Sequence, residues 1–167
     1  AVSSDLSIQK VYITNDMSNL YIRVDNESGS LPAYCAETVF QVGAHIRSST
    51  ESAAGTTSTL NGTSLPHSFS KAFVRSSDST TVDRYEISGS AWAFSNTESG
   101  ARVEWSPAAG RIQMVIPLES IGAAVSETET WLDCAVSIGS GGTDSDVFEI
   151  HYRLTGSSQQ WLYGDFE

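Results

Sequence analysis

Apolar residues in this chain recur at every second position, in short runs separated by clusters of Gly, Ser, Thr, Asn and Asp. Val11 and Ile13 flank Tyr12, and beyond the polar break Asn15-Asp16-Met17-Ser18-Asn19 the alternation resumes as Leu20, Ile22 and Val24 against Tyr21 and Arg23. Successive side chains of a strand point to opposite faces, so this pattern gives each run one apolar and one polar face and reads as a hairpin. Further runs of this kind are Val39 to Ile46, Phe69 to Val74, Arg84 to Ile87, Ala91 to Phe94 and Val103 to Trp105. Ile112 to Ile116, Trp131 to Ile138, Val147 to Leu154 and Gln160 to Tyr163 complete the set. Helix is confined to a turn at Pro117-Leu118-Glu119-Ser120-Ile121-Gly122. The pattern predicts an all-β fold: an antiparallel two-sheet β-sandwich, jelly-roll or immunoglobulin-like, with minimal helix. Trp92 and Phe94 share one strand face, as do Val103 and Trp105, and are expected to pack inward. Glu104 and Glu149 are expected on outward faces.

A length of 167 residues suits one domain, 1–167, with a sizeable core. Nine basic against twenty acidic residues give a formal net charge of −11. Such a chain repels phosphate backbones and anionic headgroups, which argues against nucleic acid and membrane partners. No apolar run is long enough to span a bilayer, and the sequence starts Ala1-Val2 without a basic and apolar leader, as in a mature or excised soluble piece. Ser and Thr supply 42 of the 167 residues, a hydroxylated surface common on secreted, extracellular proteins. Cys35 and Cys134 allow one disulfide, which would close a long loop worth about 4 to 5 kcal/mol in the chain-entropy model. Two separate thiols are the other reading; Cys134 alternates with Leu132, Val136 and Ile138 and is expected to point inward either way.

Ser48 to Ser64 is a low-complexity stretch without periodicity, expected to be a loop over a site, and Ser140 to Asp146 reads as a second conspicuous loop. Motifs for nucleophilic, nucleotide-driven or zinc chemistry are missing, and His45, His67 and His151 stand apart in sequence. No privileged carboxylate pair marks a glycosidase, so the chain is expected not to be an enzyme. Asn15-Asp16, Asp25-Asn26-Glu27 and Asp144-Ser145-Asp146 are oxygen-rich segments, and a structural Ca²⁺ held by Asp16, Asp144 or Asp146 is expected, with turn chemistry as the competing explanation. Sugar rings stack their C–H faces on aromatic planes and leave hydroxyls for amide and carboxylate groups. Trp161 and Gln160, in Ser157-Ser158-Gln159-Gln160-Trp161-Leu162-Tyr163, together with Trp131, Tyr34 and Tyr163, are the expected ligand-binding residues.

Two segments carry a family resemblance. Asp5-Leu6-Ser7-Ile8, Lys10-Val11-Tyr12-Ile13-Thr14-Asn15-Asp16 and Asn19-Leu20-Tyr21-Ile22-Arg23-Val24 resemble the start of family-9-like carbohydrate-binding modules and of the C-terminal domain of glucodextranase-type enzymes, the DOMON-like sandwiches. Arg111-Ile112-Gln113-Met114-Val115-Ile116-Pro117-Leu118-Glu119-Ser120-Ile121-Gly122 resembles a late segment of the same group. The resemblance implies a β-sandwich appended to the catalytic domain of a secreted carbohydrate-active enzyme, with Ca²⁺ sites in some members and sugar sites lined by Trp. A heme-bearing version uses Met and His ligands, for which Met17, Met114 and the three histidines qualify by type. Thr38-Val39-Phe40-Gln41-Val42-Gly43 departs from the group, with Gln and Gly where acids are common, so binding residues are not carried over individually.

The sequence therefore leads to a noncatalytic carbohydrate-binding module of a polysaccharide-degrading enzyme, holding a neutral polysaccharide or oligosaccharide, with α-glucans among the candidates. A structural module packing on a catalytic domain or on a second copy is the alternative, and a heme-bearing electron-transfer domain a more distant one.

Overall fold

The computed structural model describes residues 7–26, 37–46, 56–76, 80–106, 108, 110–125, 129–140, 143–156 and 162–165. The elements are β1 (Ile8–Asn15), β2 (Asn19–Asn26), β3 (Glu37–Ile46), β4 (Thr56–Ser58), β5 (Ser64–Phe69), β6 (Lys71–Ser76), β7 (Asp83–Ser88), β8 (Ala91–Thr97), β9 (Arg102–Ser106) and β10 (Arg111–Pro117). They continue with α1 (Leu118–Ile121), β11 (Thr130–Ser140), β12 (Thr143–Arg153) and β13 (Leu162–Asp165). A first sheet has the order β13-β1-β2-β10-β9 and a second the order β12-β11-β3-β6-β7-β8; β4 and β5 form a separate two-stranded ribbon. Neighbouring strands pair antiparallel throughout, as the period-two pattern predicts for an all-β sandwich. No helix among the described residues is long and apolar enough to cross a membrane.

The core lies between the sheets. Val11, Ile13, Leu20, Ile22, Val24, Ile112, Met114 and Ile116 come from the first sheet, and Phe40, Val42, Phe73, Leu132, Cys134, Val136 and Ile138 from the second. Fully burying a side chain of this size stabilises by roughly 1.5–3 kcal/mol, so the alternating positions supply most of the cohesion. Cys134 is a free thiol with its ionisation pushed well up by burial; Cys35 lies outside the described residues. One polar brace crosses the core. Asn15 is buried, its side-chain amide donates to the carbonyls of Asp16 and Thr155 at 2.7 and 2.9 Å, and its Oδ1 accepts from the Tyr152 hydroxyl at 2.7 Å. A buried amide with every group partnered fixes the end of β1 against the end of β12.

The β4–β5 ribbon lies over the outer face of the second sheet. Residues 56–64, the described part of the low-complexity stretch, supply β4, the turn and the first residue of β5. Beneath the ribbon Val39, Ala72 and Val74 make a second apolar cluster with Leu60, Tyr85 and Trp92. The Trp92 indole N–H donates to the Ser58 carbonyl at 3.0 Å, and the Leu60 N–H donates to the buried Gln41 Oε1 at 2.6 Å. Gly43 faces the ribbon so closely that a Cβ there would fall on the backbone carbonyl oxygen of Ser68. The departures at Gln41 and Gly43 thus have a local cause: a buried carboxylate at 41 would face the cost of desolvation, and any side chain at 43 would hold the ribbon off.

The expected inward packing of Trp92 and Phe94 is corrected. Both stand on the outer face of β8: Trp92 is half-buried under the ribbon and Phe94 is 57% exposed, edge-on to Tyr85 with ring centroids 5.7 Å apart. Alternation gives a shared face but not which sheet surface it is, and here that face is covered by a third layer. The Trp105 side chain lies outside the described residues. The described residues of the second conspicuous loop are strand, with Ser140 paired to Thr143, Gly139 to Asp144 and Ile138 to Asp146.

Gly43→Ala is expected to lower stability by about 1–3 kcal/mol, the range for overpacking a tight contact. It should also raise solvent access to Trp92, read by urea denaturation with acrylamide quenching. An unchanged midpoint and unchanged quenching would contradict the close docking of the ribbon.

Candidate functional site

The outer face of the first sheet carries no ribbon among the described residues. Register aligns its outward side chains into rows across the strands. Tyr12, Arg23, Gln113 and Glu104 form one row, and Thr14, Tyr21, Val115 and Arg102 the next. A third row holds Lys10, Asp25, Arg111 and Ser106.

These rows divide by how their polar groups are engaged. Arg23 donates through Nε and Nη2 to both oxygens of Asp25, at 2.7 and 2.6 Å, and lies over the Tyr12 ring at 4.6 Å from its centroid. Arg111 Nε reaches Asp25 at 3.4 Å. A fork-to-fork pair of this kind has fixed geometry, so this side of the face is a stiff lattice. Arg102, Glu104 and Gln113 instead form no hydrogen bond or ion pair with any of the described residues. They stand around Val115 and the half-buried Tyr21, lining a shallow hollow of about 220 Å³. A second hollow, of about 150 Å³, adjoins it and is lined by Tyr21, Ile22, Arg23, Gln113, Met114 and Val115. A cation, an anion and an amide around an apolar floor make a locally neutral site that both donates and accepts, although the chain as a whole carries −11.

Tyr21 is held from below. Its hydroxyl donates to Asp16 Oδ2 at 2.5 Å, while Asp16 Oδ1 accepts the N–H groups of Ser18 and Asn19 at 2.8 and 2.7 Å. The Tyr21 hydroxyl, then the Ser18 N–H, hold the Asp16 carboxyl below its ordinary range, and the same contact pushes the Tyr21 phenol up.

A second cluster lies on the outer face of the other sheet. Trp131 and His151 stack with centroids 4.4 Å apart and planes at 13°, and His67, from the ribbon, lies nearly parallel to His151 with centroids 6.4 Å apart. His151 Nδ1 is 2.5 Å from Asp133 Oδ1, while His67 lies 3.9 Å from Asp133 and 4.0 Å from Glu149. Glu149 is on an outward face, as expected.

Of the residues expected to bind ligand, Trp131 belongs to this half-buried ring stack. Trp161, Gln160 and Tyr34 lie outside the described residues. Tyr163 pairs with Tyr12 in β13, and its side chain also lies outside them. The three carboxylates expected at Ca²⁺ are separated and already engaged with protein donors. Asp16 holds the β1–β2 turn. Asp144 accepts from the hydroxyls of Thr59 and Thr63 at 2.7 and 2.8 Å and from the Asn61 amide at 3.0 Å, fastening the ribbon turn. Asp146 accepts the Ile8 N–H at 2.7 Å, on the side facing the first sheet. A bulge at this point of the β11–β12 ladder, where Ile138 pairs with Asp146 and Gly139 with Asp144, sends the two carboxylates to opposite faces. Among the described residues no group of three or more His, Cys, Asp or Glu is arranged to hold a metal ion. Met114 points into the core and Met17 is exposed at a turn, whereas His67 and His151 lie beyond the second sheet, so these residues do not come together as a heme would require.

Arg23, Arg102, Gln113 and Tyr21, which line the two hollows, are not among the residues expected to bind ligand. Their signal was present in the alternation, as the polar partners of Ile22, Val24, Ile112 and Met114. Comparison with protein-family models, with curated proteins and with solved structures gives no match to this chain.

The Asp16 contact makes a pH-dependent contribution of definite sign. A carboxyl held below its unfolded value, about 3.9 for an aspartate, stabilises fully above that value and loses its effect as pH falls through the folded one. The gap in urea midpoint between the wild type and Asp16→Asn is therefore expected to be widest at pH 6 and to close as pH falls below about 4. A gap independent of pH would contradict the Tyr21–Asp16 contact.

Proposed function

We propose that the protein is a noncatalytic carbohydrate-binding module that holds a neutral glycan on the open face of its first sheet. The observation that supports this reading is the uncommitted trio Arg102, Glu104 and Gln113 around Tyr21 and Val115. Vicinal hydroxyls of a sugar accept from a guanidinium and donate to a carboxylate, and the amide can serve either way. The apolar floor takes the C–H face of the ring. Since the hollow is locally neutral, a neutral ligand leaves no charge uncompensated. The resemblance of the β1–β2 hairpin and the β10–α1 segment to carbohydrate-binding modules leads to the same class. In that reading the domain belongs to a secreted polysaccharide-degrading enzyme and raises its effective concentration at the polymer, for which modest affinity suffices. The ring stack of Trp131 and His151 is the alternative location for the sugar.

A second reading, packing against a catalytic domain or another copy, draws on Phe94, the exposed aromatic of edge strand β8. Light scattering of the isolated chain, with and without Phe94→Ser, separates it from the first.

The protein is expected to migrate more slowly in native gels containing a neutral polysaccharide, screened over starch, dextran, β-glucan, xylan and mannan. Arg102→Ala should weaken the interaction roughly 10- to 100-fold, the equivalent of losing a hydrogen bond to a charged group. Trp131→Ala should leave it unchanged. Loss of retardation on Trp131→Ala but not on Arg102→Ala would move the site to the other face, and no retardation by any polymer would overturn the glycan reading.

A further inference from the structure

We infer that the ligand is an extended linear polysaccharide bound through the interior of its chain, lying across strands β2, β10 and β9 rather than along them; this rests on the glycan reading above. The two hollows adjoin, sharing Tyr21, Gln113 and Val115, and follow one another across the sheet. Arg23, Gln113 and Glu104 form one row along the trench, and Tyr21 and Val115, its apolar floor, form the next row with Arg102, each row receiving one residue from each of the three strands. A ligand running along the strands would instead meet the Arg23–Asp25–Arg111 lattice, whose groups are held by one another at 2.6 to 3.4 Å. Across the strands the trench runs out over β9, the edge of the sheet. Nothing among the described residues closes it there in the way a chain-end site requires.

The spacing sets the ligand's form. Adjacent strands lie about 4.8 Å apart, close to the advance of one residue in an extended glycan. Each successive sugar therefore meets the next strand: Tyr21 on β2, then Gln113 and Val115 on β10, then Glu104 and Arg102 on β9. A tightly coiled chain does not keep that step. The structure thus favours extended glycans over the coiled α-glucans admitted from sequence.

Titration calorimetry with cello-, xylo-, manno- and malto-oligosaccharides of two to six residues tests this, each also with its reducing end converted to the alditol. At least one extended series is expected to tighten about tenfold from two to three residues and then level off. Conversion of the end should leave the longer members unchanged, and Glu104→Gln should flatten the gain between two and three residues. Affinity independent of length, or abolished by conversion of the end, would overturn interior binding while leaving the glycan reading intact. Length-dependent binding of malto-oligosaccharides alone would overturn the extended form. No binding in any series, together with no gel retardation by the polymers, would remove the glycan reading itself.

Discussion

Register between β2 and β10 governs much of what this molecule can present. Ile22 opposite Met114 and Val24 opposite Ile112 place four apolar side chains in the core, and the same pairing sets Arg23 beside Gln113 and Tyr21 beside Val115 on the other surface. Slipping either strand by one residue would turn the apolar set outward, at a cost of several kcal/mol of lost burial. The order of the outer rows is therefore held by the core. Side chains that contribute little to stability are kept in register by ones that contribute a great deal.

The two outer surfaces have different fates. On the second sheet Val39, Ala72 and Val74 would be wet apolar residues without the ribbon, and Gln41 and Gly43 are shaped to receive it. On the first sheet the outward residues other than Val115 are polar or amphipathic, and their charges are largely balanced within the face. That surface carries no covering layer among the described residues. The ribbon is fastened by Asp144 at its turn and by Trp92 along its length, so two layers stand on one side of the core and one on the other.

Much of the sandwich was legible because alternation reports directly on burial. Strand by strand, Val11, Ile13, Leu20, Ile22, Val24, Ile112, Met114 and Ile116 lie in the core where the period places them. The ribbon was less legible. Thr56-Thr57-Ser58 has no apolar alternation, and its contacts depend on Gln41, Trp92 and Asp144, far away in sequence. The acidic segment Asp144-Ser145-Asp146 looked like one oxygen cluster because spacing alone conveys nothing about a bulge. The outward rows were half visible: the period identifies Tyr21, Arg23 and Gln113 as facing away from the core, but only pairing reveals that Arg23 is engaged with Asp25 whereas Arg102 and Gln113 are left available.

The ribbon's place in the third layer has a kinetic consequence. It interrupts the chain between β3 and β6, which pair directly with each other. Those two strands can join and bury Phe40 and Phe73 while the insert between them is still unbound, since no ribbon residue belongs to the cluster between the sheets, its fully buried Phe69 lying outside that cluster. Its attachment is then a late, separable event, and it forms the natural unit of local opening. Amide hydrogens of Thr59, Leu60 and Thr63 should exchange with solvent through detachment of this layer alone, while those of β11, flanked by strands on both sides, await collapse of the whole sandwich.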